Sequence, residues 1–251
     1  MSISQRGSKR SRRLADSPSR VPSILITGAN KGLGLEFARQ YQAAGWRVYA
    51  TCRAPADADA LRVLENDARG QLTVHALDTR DQAAASALAR ALTGHPIDVL
   101  LNNAAIWGPR QQTLEHIDYR VWAEVLDVDL MGPLRVVEAF LEHVEASRRK
   151  TLVMLSSRIA SIASYDRGGR YFYRSAKAGL NALVRSLAID LAPRGVACIA
   201  LSPGWVRTEM GGPDAPLSVT ESVTGMRQVI DRLDIGKTGT FLHYDESTMS
   251  W

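Results

Sequence analysis

The chain alternates between short apolar runs and longer segments of helical spacing, and this alternation constrains its fold more than any other feature. Strands are predicted by the apolar runs at 23–27, 47–52, 71–77, 97–101, 151–156, 196–201 and 239–244. Helices are predicted at 33–44, 57–68, 81–92, 119–146, 173–191 and 218–233, the fourth bent at Gly132-Pro133. Parallel strands need crossover connections, which helices supply. We therefore expect an α/β fold, a doubly wound parallel sheet of about seven strands with helices on both faces.

Size and composition fit one globular domain. The chain has 251 residues, of which 45% are hydrophobic and 23% are charged, as is usual for a protein with a full core. Two cysteines, Cys52 and Cys198, are too few for a disulfide framework, which favours a reducing compartment. No stretch approaches the roughly 20 apolar residues of a membrane-spanning helix. We therefore expect a cytoplasmic protein without membrane contact.

The net charge of +5 is concentrated at the start of the sequence. Residues 1–20 contain six basic residues and one acidic residue, Asp16, whereas the rest of the chain contains 25 of each. Because this segment is rich in serine and poor in apolar residues, it predicts a disordered basic arm at 1–20, followed by a single domain at 21–251. No nucleic-acid binding is expected of the domain. The arm fits either a solvated tail or a targeting or anion-binding segment.

A glycine-rich turn, TGANKGLG at 27–34, lies between the first predicted strand and the first predicted helix. Its three glycines permit a tight turn, close approach of a pyrophosphate and close packing of helix on strand. The free N–H groups and positive dipole end of the helix would hold the phosphates. The spacing is not GxGxxG, so the position of the turn carries the prediction. The predicted cofactor contacts here are Gly28, Asn30, Lys31, Gly32, Leu33 and Gly34.

The end of the second predicted strand indicates which dinucleotide is bound. NAD-specific sites usually place an acid there for the ribose 2′-hydroxyl, but this strand is followed by Arg53. Arg53 and Lys31 suit a 2′-phosphate, so NADP(H) is predicted over NAD(H), although solvated surface cations would give the same pattern. Further cofactor contacts are predicted after the third, fourth and sixth strands, at Asp78, Thr79, Asn102, Asn103, Ala104, Pro203, Gly204, Val206 and Thr208.

Tyr173 and Lys177 are four residues apart at the start of a predicted helix, so they lie on one face, one turn from each other. A nearby ammonium stabilises a phenolate and lowers the pKa of a tyrosine towards the range useful in acid–base catalysis. The same lysine can hydrogen-bond the ribose of the cofactor, so both residues are also predicted cofactor contacts. Ser157, after the fifth strand, can donate to a substrate carbonyl and stabilise the oxyanion, with Ser156 as the alternative.

The motifs TGANKGLG, NNAA, SS, YxxxK and PGWVRT occur in the order and spacing of the short-chain dehydrogenase/reductase superfamily. The segments SSRIASIAS, GGRYFYRSAKAGLNAL and FLHYDESTMSW resemble its C-factor/Sniffer-like carbonyl reductase branch. The resemblance implies a Rossmann-type fold, NADPH as reductant, small aldehydes or ketones as substrates, and a homodimer or homotetramer. It implies Ser157 as the residue that polarises the substrate, Tyr173 as proton donor and Lys177 as the residue that binds ribose and lowers the tyrosine pKa. The substrate cleft is expected between 161–170 and 213–227.

Two positions depart from the family pattern. Ala105 replaces the last glycine of NNAG, a mild change if its backbone avoids positive φ. Asp129, the fourth catalytic candidate, stands where the family carries an asparagine that completes the catalytic set. An ionised Asp129 is expected to pair with Lys177 and weaken its effect on Tyr173, which predicts retained but reduced turnover. This departure and the basic arm keep a second hypothesis open: a dinucleotide-binding regulatory or signalling protein with weak or no catalysis.

Overall fold

A computed structural model of the chain describes residues 20–251, so the predicted arm lies outside the described residues except for Arg20. The strands are β1 Ser23–Ile26, β2 Arg47–Cys52, β3 Leu72–Ala76, β4 Val99–Asn102, β5 Thr151–Leu155, β6 Ala197–Ser202 and β7 Phe241–His243. They form one sheet in the order β3-β2-β1-β4-β5-β6-β7, and every pair is parallel. The predicted doubly wound sheet is confirmed, and its strand order reverses between β1 and β4.

Helices connect the strands on both sides of the sheet. They are α1 Gly32–Ala43, α2 Asp59–Asp67, α3 Gln82–Ala91, α4 Tyr119–Leu126, α5 Gly132–Glu145, α6 Tyr171–Leu191 and α7 Val219–Asp231. The long helical stretch predicted at 119–146 is confirmed, and a π-helical turn at Asp127–Met131 divides it into α4 and α5. Pro133 is the second residue of α5, and the N–H of Gly132 before it donates to the carbonyl oxygen of Asp127. Gly132-Pro133 therefore lies where the π-helical turn continues into α5.

The sheet is buried on both faces, which explains why its strands are continuous apolar runs. Along β1, Ile24 and Ile26 face one core cluster, which α1, α2 and α7 complete. Leu25 faces the opposite cluster, which α3, α5 and α6 complete. The two cores hold the strand ends in fixed register, and this register places the loops that follow each strand.

Asp98 fixes the amino-terminal edge of the sheet. Its buried carboxylate accepts the N–H of Ser23 at 2.9 Å and that of Arg148 at 3.2 Å, and it pairs with Arg20 at 2.8 Å. Arg20 therefore lies at the edge opposite to the carboxyl ends of the strands, where the sequence predicts the site. Among the described residues, no helix combines the length and apolar character needed to cross a membrane.

Candidate active site

The carboxyl ends of four neighbouring strands bring the predicted motifs to one edge of the sheet. The strand β1 leads into the glycine-rich turn, β4 ends at Asn102, β5 is followed by Ser156 and Ser157, and β6 precedes Pro203. Because these strands are adjacent in the order β1-β4-β5-β6, segments far apart in sequence meet here. This edge is the crevice in which doubly wound sheets bind their ligands.

The turn after β1 requires glycine at two positions. Gly28 has a φ of 66°, and a Cβ there would lie 2.9 Å from the Cα of Ala104. A Cβ at Gly34 would collide with the carbonyl oxygen of Gly28. The turn therefore packs directly on the segment after β4, and a larger residue at either position would force the two apart.

Asn103 braces this turn. Its side-chain Nδ2 donates to the carbonyl oxygens of Thr27 at 2.8 Å and Gly28 at 3.0 Å. In return, the hydroxyl of Thr27 accepts the backbone N–H groups of Asn103 at 3.0 Å and Ala104 at 3.1 Å. Asn103 thus stabilises the glycine-rich turn, and its predicted contact with a cofactor stays a prediction. Ala105, next in the chain, is not among the described residues with positive φ, so its substitution for glycine introduces no backbone strain of this kind.

Asn102 is buried in the sheet rather than in the turn. Its Nδ2 lies 3.3 Å from the sulfur of Met154 on β5 and 3.5 Å from the carbonyl oxygen of Pro133. These contacts tie β4 to β5 and to the start of α5. These contacts are structural, and the cofactor contact predicted at Asn102 stays a prediction.

The amino-terminal end of α1 is open to an anion. Lys31 precedes the helix in an extended conformation, and no side chain caps the helix. The first N–H groups of an α-helix lack helical partners and carry the positive end of its dipole. Gly32, Leu33 and Gly34 supply these groups, so this end of α1 fits the pyrophosphate of a dinucleotide.

The two cations predicted at the 2′-phosphate are exposed, and one of them has a partner. Lys31 forms an ion pair with Glu209, which belongs to the segment after β6. Arg53 follows β2 and helps to lower the pKa of Asp78, although the main cause is hydrogen bonding from Arg80. The Arg80 guanidinium lies 2.7 Å from the Asp78 carboxylate, a partner that the sequence did not predict.

The other predicted cofactor contacts lie along the same edge. The segment after β6 is held by its own turn: the hydroxyl of Thr208 accepts the N–H of Gly211 at 3.0 Å, and the carbonyl of Pro203 accepts the hydroxyl of Ser222 at 2.6 Å. Val206 forms an isolated bridge with Leu217. Thr79 is buried, whereas Asn30 is exposed in the glycine-rich turn. The roles of these residues towards a cofactor stay predictions.

Tyr173 and Lys177 lie in the first two turns of α6, as their spacing predicts. Both are buried, and the Nζ of Lys177 is 5.6 Å from the centroid of the Tyr173 ring. The same Nζ donates to the carbonyl oxygen of Leu155, the last residue of β5, at 3.0 Å. The lysine therefore connects the tyrosine to the strand end that carries the predicted serine.

Ser156 and Ser157 have different surroundings, which distinguishes between the two candidates. The hydroxyl of Ser156 is buried and donates to Oδ1 of Asn181 on α6 at 2.6 Å. Ser157 is half-buried, and hydrogen bonding by its side chain lowers the pKa of the Tyr173 phenol. Ser156 thus joins β5 to α6, while Ser157 faces the tyrosine.

Asp129 lies in the π-helical turn between α4 and α5, and its side chain is fully buried. Its Oδ1 accepts the N–H of Ile106 at 2.8 Å, and its Oδ2 lies 3.4 Å from the Nζ of Lys177. Burial raises the pKa of Asp129, and the charge of Lys177 opposes that rise. The carboxylate of Asp129, which replaces the asparagine of the family pattern, therefore lies beside Lys177, the predicted catalytic lysine.

The phenol of Tyr173 titrates well above its ordinary range. Burial is the largest cause of the raised pKa, and the negative charge of Asp129 raises it further. The hydroxyl of Ser157 acts in the opposite direction. A neutral phenol at physiological pH is a proton donor, so this environment favours donation over abstraction.

Two residues of the loop between β4 and α4 belong to the site although the sequence did not predict them. The ring of Trp107 packs on Tyr173, with 4.6 Å between ring centroids. Gln112 is buried, and its Nε2 donates to the carbonyl oxygens of Trp107 at 3.0 Å and Pro109 at 2.9 Å. Its Oε1 accepts the N–H of Phe172, at 3.0 Å, in the first turn of α6. Gln112 therefore holds the loop that covers Tyr173 against the helix that carries it.

Residues 22–216 match the family model described as short chain dehydrogenase. C-signal of Myxococcus xanthus is 41% identical over 156 residues, which cover 62% of this chain and 93% of that protein. Carbonyl reductase Sniffer of D. melanogaster has a TM-score of 0.87 at 30% identity, covering 92% of this chain and 100% of that chain. The NADPH-bound carbonyl reductase from chicken fatty liver has a TM-score of 0.85 at 31% identity, covering 93% and 100%. With this match over most of its length and the same fold, the chain belongs to the short-chain dehydrogenase/reductase family of oxidoreductases.

Proposed function

We propose that this protein is an NADPH-dependent oxidoreductase that reduces an aldehyde or ketone to an alcohol, or catalyses the reverse reaction. The observation that carries the proposal is the placement of Tyr173 beside Lys177 and Ser157 at the carboxyl end of β5. This group shares one edge of the sheet with the uncapped end of α1. The NADPH-bound chicken carbonyl reductase, which has the same fold, supports the assignment.

NADPH would supply the hydride, and residues of this chain would hold it. The N–H groups of Gly32, Leu33 and Gly34 would bind the pyrophosphate, with Lys31 and Arg53 binding the 2′-phosphate. Lys177 donates to the carbonyl oxygen of Leu155 and forms an ion pair with Asp129, and because an ammonium has three N–H bonds, it could also donate to the ribose. The absence of an acid directly after β2 favours NADP(H) over NAD(H).

Side chains of the protein would donate the proton in carbonyl reduction and accept it in alcohol oxidation. Ser157 would donate a hydrogen bond to the carbonyl oxygen and stabilise the negative charge that develops on it as hydride arrives. Tyr173, whose raised pKa keeps its phenol protonated, would give its proton to that oxygen. Lys177 would then stabilise the resulting phenolate until it is reprotonated. In the reverse direction, the phenolate of Tyr173 would accept the proton of the alcohol.

The test is NADPH oxidation with a panel of aldehydes and ketones, measured for the unmodified protein and for Tyr173→Phe. Turnover that is lost in Tyr173→Phe supports the proposal. Tyr171→Phe is the matched control, because it removes a phenol from the same turn at a position that has Ser175, not a lysine, four residues later. Equal activity in the unmodified protein and in Tyr173→Phe would refute the assigned proton donor.

A second candidate function is dinucleotide binding in a regulatory or signalling role, with weak or no catalysis. Asp129 favours it, because its carboxylate lies against Lys177 and raises the pKa of Tyr173. The relative C-signal is named for signalling, which is consistent with this alternative. Binding of NADPH by the unmodified protein, without turnover of any carbonyl in the panel, would favour this role.

A further inference from the structure

A cavity of about 350 Å³ lies beside the first two turns of α6. Its lining includes Tyr171, Arg174 and Ala178 of α6, and Ile162 and Tyr165 of the preceding loop. The α6 residues that line it recur at helical spacing on a different face from Tyr173 and Lys177. The loop at 161–170, predicted to border the substrate cleft, thus contributes at least in part to a separate cavity.

Arg174 is the residue of this cavity that indicates a ligand site. The side chain belongs to a residue that is only 7% exposed. One guanidinium nitrogen donates to the carbonyl oxygens of Arg167 at 2.6 Å and Gly169 at 3.4 Å. The guanidinium carbon lies 4.3 Å from the centroid of the Tyr165 ring. These contacts position the group, but none of them supplies a negative charge.

The charge of Arg174 is unpaired within residues 20–251. No carboxylate of this part of the chain forms an ion pair with it, and its Nε is buried without a hydrogen-bond partner. Burying a cation without an anion is unfavourable, and the usual compensation is a paired, hydrogen-bonded counter-charge. Lys177, three residues later, shows that compensation, since it lies beside Asp129. Arg174 has the burial of such a pair without the partner.

We propose that this cavity is a binding site for a small carboxylate with an apolar body, and that Arg174 binds the carboxylate. The planar guanidinium matches the oxygens of a carboxylate, and its second terminal nitrogen is not used by the carbonyl contacts above. Ile162, Tyr171 and Ala178 offer an apolar wall for the rest of the molecule. The volume is at the lower end of the range for small-molecule sites, roughly 300–1,000 Å³. The proposal does not depend on the function proposed above.

The experiment is isothermal titration calorimetry of the full chain with benzoate and hexanoate, each compared with its uncharged amide. We expect the carboxylates to bind with a Kd of about 1 mM or below and the amides at least tenfold more weakly. Arg174→Met should weaken carboxylate binding by at least tenfold. Ala178→Phe, which fills the cavity and keeps the charge, should weaken it similarly. The control Arg90→Gln removes an exposed cation of α3, which lies outside the lining of the cavity, and should leave binding unchanged.

Circular dichroism of each variant shows whether it is folded, and Ala178→Phe provides the test if Arg174→Met is not. The proposal is overturned if neither carboxylate binds at about 10 mM, a concentration well above the expected Kd. It is equally overturned if the amides bind as well as the acids, or if folded Arg174→Met and Ala178→Phe bind like the unmodified protein. A self-associated protein that buries this face and binds no carboxylate would also overturn it.

Discussion

The Nζ of Lys177 lies 3.4 Å from Oδ2 of Asp129, and the two side chains are exposed by only 2% and 0%. The same lysine lies beside the ring of Tyr173, whose pKa the charge of Asp129 helps to raise. One buried ammonium therefore lies beside both the carboxylate of Asp129 and the ring of Tyr173. In the proposed mechanism, the carboxylate competes for the charge that would stabilise the phenolate.

Asp129→Asn should increase turnover. The substitution removes the negative charge that raises the pKa of Tyr173, while an amide oxygen can still accept the N–H of Ile106. Since one pKa unit changes the phenolate fraction about tenfold, we expect kcat for alcohol oxidation to rise several-fold, up to about tenfold, at neutral pH. The pH–rate profile with NADP⁺ checks this prediction.

The direction of the pH shift follows from the group that must ionise. Alcohol oxidation needs the phenolate, so its rate climbs with pH towards the raised pKa of Tyr173. Asp129→Asn lowers that pKa, so the rate of alcohol oxidation should begin to rise at a lower pH. Asp127→Asn is the control, because Asp127 lies in the same turn but pairs with Arg135 at 2.7 Å. A large loss of activity in Asp129→Asn would instead show that the acid is required.

The two serines after β5 should respond differently to alanine. Ser157→Ala removes the proposed donor to the substrate oxygen, so kcat should fall by about 10²–10³ with little change in stability. Ser156→Ala leaves Oδ1 of Asn181 without its buried donor, which should cost about 1–3 kcal/mol of unfolding free energy. Steady-state kinetics and thermal unfolding of both variants separate these effects. The reverse pattern would assign the catalytic role to Ser156.

Arg53→Gln should weaken NADPH selectively. If Arg53 binds the 2′-phosphate, losing this charged hydrogen bond should raise the KM for NADPH roughly ten- to a hundredfold and leave that for NADH unchanged. Arg47→Gln is the matched control, since Arg47 is an exposed arginine at the opposite end of the same strand. A KM for NADH that is lower than that for NADPH in the unmodified protein would contradict the cofactor preference itself.

The sheet and the Tyr173–Lys177 pair could be predicted because each depends on local periodicity. Apolar runs mark strands that are buried on both faces, and a separation of four residues places two side chains on one helix face. The π-helical turn at Asp127–Met131 escaped prediction because it inserts into a continuous apolar helical pattern and has no residue signature of its own. It nevertheless positions Asp129, so a local irregularity determines part of the site.

Contacts made by the long loops could not be predicted from the sequence, because these loops lack local periodicity. The segment between β4 and α4 has no periodicity, so nothing in it indicates that Gln112 contacts Phe172, 60 residues later. The partner of Lys31, Glu209, is likewise 178 residues away. Such pairs depend on how the carboxyl ends of separate strands converge, which only the assembled sheet defines.

Gln112→Leu should lower the stability of the protein and the pKa of Tyr173. The substitution leaves the N–H of Phe172 and the carbonyls of Trp107 and Pro109 without their buried partner, which should cost about 2–4 kcal/mol of unfolding free energy. Release of the loop also exposes Tyr173, and because burial is the largest cause of its raised pKa, the pH–rate profile of alcohol oxidation should shift to lower pH. Gln111→Leu, an adjacent exposed glutamine, should change neither property. If Gln112→Leu lowers stability but leaves the pH profile in place, the residue supports the fold without positioning Tyr173.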